Sequence, residues 1–206
     1  MRVTGQISDS FDYRNQPYSL VGIRGVGLFD PAQHGIKPVA ISTACWRGFF
    51  CIYEVADNAL FLTTLYIGLG NEDEATAVRG EGPKLFGKVP SRYPLPKLKW
   101  MPNHESSDFK VDGIRELIPF TGGLLLGKDF IQDMYVHGGY QRAYKFREVH
   151  EMVFDSGRLV EEHDRSAQMS ELREMILSED REHDLVNPRS PIQKWIKQHF
   201  SRQYEF

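Results

Sequence analysis

The feature that most constrains this chain is a pair of apolar runs, Phe49-Phe50-Cys51-Ile52-Tyr53-Glu54-Val55 and Ala59 through Ile67, joined by the polar step Ala56-Asp57-Asn58. Runs so rich in β-branched and aromatic residues favour extended backbone, and a short polar turn between them folds them back antiparallel. A second hairpin is written the same way: Tyr144 through Phe154, then Asp155-Ser156-Gly157, then Arg158-Leu159-Val160-Glu161, with glycine supplying the positive φ of the turn. Tyr18 to Ile23, Val39 to Trp46, Gly123 to Gly127 and Tyr135 to His137 read as further strands. The fold predicted is α+β and mainly β, its antiparallel hairpins forming a sheet, sandwich or open barrel.

From residue 166 the period changes. Ser166 is placed to cap a helix whose Met169, Leu172, Met175 and Ile176 recur at helical spacing. Asn187-Pro188-Arg189-Ser190-Pro191 then breaks the chain and restarts it, with serine as cap and proline at the first helical position. Ile192, Trp195, Ile196, His199 and Phe200 form an amphipathic stripe that must pack on something. The chain's own sheet is one partner for it; a second copy, giving a homodimer through Ile192, Trp195, Ile196 and Phe200, is the other. Between the β-rich parts, residues 70–103 are dense in proline and glycine and predict a loop region with one short strand around Lys84 to Val89. The whole reads as one domain over 1–206: β-rich 1–69, the Gly/Pro-rich loop 70–103, β-rich 104–165, and two helices over 166–206.

At 206 residues the chain can bury a substantial core, and its net charge of −3 provides no global attraction to nucleic acid or anionic lipid. No apolar run approaches the roughly 20 residues a membrane-spanning helix needs, and the first residues lack the apolar stretch of a secretory signal, so a cytoplasmic protein is expected. The two cysteines, Cys45 and Cys51, would lie about 20 Å apart along one strand, beyond disulfide reach, and are expected as free thiols packing like small hydrophobes.

Three clusters could carry chemistry. In Cys45-Trp46-Arg47-Gly48 an arginine sits in an apolar stretch, so its guanidinium must reach solvent, a carboxylate or an anionic ligand. His137-Gly138-Gly139-Tyr140 places an imidazole and a phenol beside a glycine turn, and with Tyr144 could line a pocket. Trp46, Arg47, His137, Tyr140 and Tyr144 are therefore the candidate ligand-binding residues. His150-Glu151 and Glu161-Glu162-His163-Asp164 carry metal-type donors without ligand spacing, and neighbours in a strand point to opposite faces. They read as solvated or locally hydrogen-bonded groups at strand ends. No P-loop, nucleophile elbow or dinucleotide fingerprint occurs, and no catalytic residue, metal or cofactor is assigned.

Two segments carry a resemblance. Ser42-Thr43-Ala44-Cys45-Trp46-Arg47-Gly48 with its following strand, and Tyr135-Val136-His137-Gly138-Gly139-Tyr140 with Tyr144, resemble a loose set of uncharacterised bacterial β-rich proteins that share these two motifs. The likeness covers about half of the chain and implies a bacterial origin and a β-rich fold, with no established activity. The leading expectation is a non-enzymatic, immunity-like or accessory protein that binds another protein. The alternative is a small-molecule-binding domain or hydrolytic enzyme with a pocket near His137, Tyr140 and Arg47.

Overall fold

A computed structural model describes residues 4–93, 108–178, 182–185 and 187–204. Ten strands form one mixed sheet: β1 (Ser10–Tyr13), β2 (Gln16–Val26), β3 (Phe49–Ala56), β4 (Ala59–Gly68), β5 (Ser91–Arg92), β6 (Asp108–Val111), β7 (Glu116–Leu117), β8 (Thr121–Phe130), β9 (Phe146–Asp155) and β10 (Arg158–Asp164). Among the described residues three α-helices accompany them: α1 (Asn71–Val78), α2 (Ser166–Ser178) and α3 (Pro191–His199). The fold is mainly β, as its hairpins require.

The spatial order runs β10-β9-β8-β2-β1-β3-β4, and β4 returns to β10 through the pair Ala59–Arg158, which closes seven strands into a barrel. Leu60 N–H bonds Gly157 O at 2.9 Å and Leu159 N–H bonds Asn58 O at 2.9 Å, so the two hairpin turns read from the sequence hold each other at the seam. Neighbouring strands are antiparallel except β1 and β3, which pair in parallel between Ser10–Tyr13 and Ile52–Val55. β4 continues outward to β6 and β5, and β7 pairs with its start.

Strand alternation explains the interior. Cys51, Tyr53 and Val55 of β3 and Leu124 and Leu126 of β8 point inward, two residues apart. On β4 the inward residues are Leu60, Leu62, Leu65 and Ile67; a bulge in the pairing between Ile52 and Tyr53 absorbs the odd step from 62 to 65. Phe11 stacks on Tyr53 at 4.8 Å, and Phe120 meets Phe154 edge-on, so aromatic rings fill the barrel.

The outer face of β8 and β9 is covered by the C-terminal helices. Leu125 and Val149 point outward and pack with Met169, Leu172, Ile176, Ile192 and Ile196. The run Leu124-Leu125-Leu126 is apolar throughout because both of its faces are buried. Ser190 caps α3, its hydroxyl accepting Gln193 N–H at 3.1 Å, with Pro191 next. Ile192 and Ile196 of the stripe are fully buried within the chain, Phe200 is buried beside them, and Trp195 stacks on His199 at 4.2 Å.

Five local expectations differ from the structure. Val39 to Trp46 is not a strand: Val39 N–H bonds Gly68 O, Ile41 N–H bonds Cys45 O, and the segment loops across the end of β3 and β4. Tyr135 to His137 is likewise irregular. Within 70–103, Asn71–Val78 is helical, its acidic Glu72, Asp73 and Glu74 lying in the first turn where the helix dipole favours negative charge. Around Lys84 to Val89 only the isolated bridge Leu85–Lys88 forms, and the rest of the loop beyond Tyr93 lies outside the described residues. Ser166 does not cap α2 with its hydroxyl, which accepts Val149 N–H; Asp164 takes the Ser166 N–H instead. Cys45 and Cys51 are free, buried thiols, and burial pushes both pKa values up.

Candidate functional site

A cleft of about 360 Å³ opens where β2 parts from the segment that leads into β1, lined by Ser8, Asp9, Leu20, Ile23, Arg47 and Tyr140 among others. β1 pairs with β2 only as far as Ser10–Ser19, with one further bond from Leu20 N–H to Asp9 O. Before Asp9 the chain turns away to bond other loops: Ile7 N–H to Ala44 O at 2.7 Å and Gln6 N–H to Gly139 O at 2.8 Å. This N-terminal arm is what brings the 39–47 and 135–142 loops side by side.

Arg47 stands in the wall of the cleft. Its Nη2 bonds the Asp9 carboxylate, its Nε donates to Phe49 O at 2.6 Å, and its guanidinium lies 4.5 Å over the Phe49 ring. Asp9 is 2% exposed and also accepts Cys51 N–H at 2.7 Å, so a buried carboxylate fixes the arginine to the start of β3. Burial alone would lower the arginine pKa, but the adjacent Asp9 charge outweighs it and leaves the pKa raised. The guanidinium is pinned on one side, with 31% of the side chain open to the cleft and solvent.

Of the residues singled out in the sequence, the structure brings Arg47 and Tyr140 together. Gly138 and Gly139 adopt φ of 92° and 66°, a turn that side-chain-bearing residues resist, and Gln141 closes the loop by bonding both Val136 N–H and Val136 O. Tyr140 is left half exposed at the cleft, and Trp46, with its N–H on Gln6 Oε1, is 60% exposed beside Arg47. His137 does not line the cleft: its ring meets Tyr135 edge-on at 5.1 Å, and Tyr135 Oη accepts Gly5 N–H. Tyr144 is 2% exposed and belongs to the core under α2, where its carbonyl accepts Arg173 Nε. It has no access to a ligand in this cleft. Asp9 carried no sequence signal, since nothing in Ser8-Asp9-Ser10 distinguishes an anchor from a solvated turn.

A second polar assembly was also missed. Tyr13, Tyr18, Lys128, Glu148, His150 and Glu162 come from five strands and gather at one end of the barrel. Tyr18 Oη donates to Glu148 Oε1; His150 lies 3.3 Å from Glu148 through Nε2 and 3.3 Å from Glu162 through Nδ1. Lys128 pairs with Glu148 at 3.3 Å and Arg14 with Glu162 at 3.1 Å. The Tyr18 hydrogen bond, aided by Lys128 and His150, holds the Glu148 carboxyl below its usual range. Burial, then the Glu162 hydrogen bond, pushes the Tyr13 phenol up to about 12, and burial with Glu148 raises Tyr18 as well. His150 and Glu151, read as polar groups at a strand end, are both buried: His150 faces this cluster, and Glu151 points to the opposite face, where Arg165 and the Ser201 N–H bind it. Among the described residues no three His, Cys, Asp or Glu side chains are grouped to hold a metal ion. Nor, among them, is any helix long and apolar enough to cross a membrane.

No family model, no curated protein and no solved structure matches this chain.

Proposed function

We propose that the chain is a binding protein that recognises another protein through the face around Arg47. The observation that carries this reading is the composition of that face: Tyr140 and Ile23, at 48% and 43% exposure, share the cleft with a guanidinium anchored from behind by Asp9, and the adjoining residue Trp46 is 60% exposed. Tryptophan, tyrosine and arginine dominate the energetics of protein interfaces, because each provides large contact area together with a directed hydrogen bond. An arginine already fixed by a buried carboxylate loses little further freedom on binding. The bacterial origin implied by the two sequence motifs and an immunity-like or accessory role are part of the proposal.

The test is affinity capture at physiological salt from the organism that encodes the chain, run in parallel with wild type, Trp46→Ala, Tyr140→Ala and a control substituted at Val160, which is 56% exposed on β10, three strands from both β1 and β2 around the barrel. A partner retained by wild type and by the Val160 variant, and lost with either aromatic, is the expected result. A partner retained equally by all four removes this face from the proposal.

A second reading is favoured by one observation: the cleft volume of about 360 Å³ lies in the range of small-molecule sites, and most of its lining is apolar. On that reading Arg47 and Tyr140 orient a small ligand bearing a hydrogen-bond acceptor, and a ligand of this kind would raise the unfolding temperature of wild type but not of Arg47→Ala.

A further inference from the structure

The cleft borders an unfinished sheet edge. β2 is eleven residues long, yet β1 covers only Gln16 to Ser19, while β8 covers Ser19 to Val26 on the other side. Past Leu20, no described residue hydrogen-bonds the backbone of β2 except β8. In an antiparallel ladder alternate residues turn their N–H and C=O away from the partner strand, so this stretch presents a row of unpaired donors and acceptors. The row is open to solvent: Ile23, Arg24, Gly25 and Val26 are all exposed, with Ile23 at 43% and Val26 at 75%. Proteins ordinarily blunt such an edge with proline, a covering loop or several charges; between Gly22 and Val26 there is one charge, Arg24, and no proline.

We infer that this edge accepts an extended segment of a partner protein as an added β-strand, with a carboxylate of that segment reaching Arg47. The inference rests on the protein-recognition reading above and specifies its mode. Main-chain bonds to Gly22–Val26 supply affinity whatever the sequence, while Ile23, Leu28 and Arg47 in the adjoining cleft select an apolar side chain and an acidic group. Charge favours an acidic segment over a second copy of this chain. Antiparallel self-pairing centred on the exposed stretch would set Arg24 opposite Arg24, and like charges directly opposed are destabilising.

The experiment selects displayed random twelve-residue peptides on the intact chain and then resynthesises the best binder with every second amide N-methylated. Strand addition predicts that the selected peptides carry Asp or Glu, and that binding slows amide exchange of residues 22–26 at least tenfold. N-methylation on the pairing edge and, separately, Arg47→Ala should each weaken affinity at least tenfold, with Val160→Ala without effect. Peptides that need Arg47 and Trp46 but tolerate N-methylation and leave 22–26 unprotected overturn strand addition while the recognition face stands. Failure to select any peptide above background, or peptides indifferent to both Arg47 and Trp46, overturns both. Protection of 22–26 in the free chain that rises with its own concentration assigns the edge to self-association and overturns the choice of partner.

Discussion

The most demanding single residue is Asp9. A carboxylate that is 2% exposed is tolerated because it meets both Arg47 and Cys51 N–H, and removing it leaves a partly buried guanidinium and a buried amide unpaired. Asp9→Ala should cost about 2–3 kcal/mol in urea unfolding, below the ~3–5 kcal/mol of a fully buried pair since part of Arg47 reaches water. Asp9→Asn keeps an acceptor for Cys51 N–H and should cost less. Titration gives a second residue-scale check. Glu148 has a folded pKa below its unfolded value, so its contribution is complete above about pH 5 and is lost as pH falls through the depressed folded value. Tyr13 is opposite in sign: raised to about 12, it stabilises fully below its unfolded pKa near 10 and loses that contribution as pH climbs through about 12. Glu148→Gln should flatten the acid limb of the stability profile and Tyr13→Phe the alkaline limb; unchanged limbs would mean these groups do not interact as placed. None of this network was legible in the sequence. Alternation alone predicts that His150 and Glu151 face opposite sides, but not that both sides are interior, because one is covered by the helices and the other by the barrel wall.

Most elements legible in the sequence have local partners, although the local β1–β2 hairpin and helix α1 were missed. The hairpins β3–β4 and β9–β10 carry their own turns, and α3 its own cap, so each is encoded within a few residues. β1 is four residues long: it folds back on β2 through the two-residue turn Arg14-Asn15, both at positive φ, and pairs in parallel with β3 about forty residues further along the chain. Val39 to Trp46 has the composition of a strand and no strand to pair with, so its polar backbone is satisfied by Gly68 and by its own turn. The cap of α3 is testable: Ser190→Ala removes the acceptor for Gln193 N–H and the donor to Asp184 O and should cost about 1 kcal/mol. Gly123 makes a sharper case. A methyl group there would collide with the Tyr204 hydroxyl and crowd Arg202, so Gly123→Ala should displace the C-terminal tail and cost about 1–3 kcal/mol. Retained protection of the tail from proteolysis in that variant would contradict its packing on β8.

At the scale of the whole molecule, a closed barrel has few edges to offer, and the arrangement of this one is asymmetric. The helices cover β8 and β9, the turns of β3–β4 and β9–β10 hold the seam, and an opening lies where the N-terminal arm leaves β2. Arg47 and Tyr140, separated by 93 positions in sequence, meet at that opening because the arm ties their two loops together, and Trp46 stands exposed next to Arg47 in the chain. The sequence singled out these three for their chemistry, together with His137 and Tyr144. Which of the five share a cleft depends on the bonds of residues 5–7, which look like an ordinary terminus. The most direct measurement is a hydrogen-exchange footprint of the intact chain bound to the protein it captures. Slowed exchange centred on residues 44–47 and 139–142 is expected, with the helical face over α2 and α3 unchanged; a footprint on that helical face, with the Arg47 loops exchanging as in the free chain, would contradict the assignment.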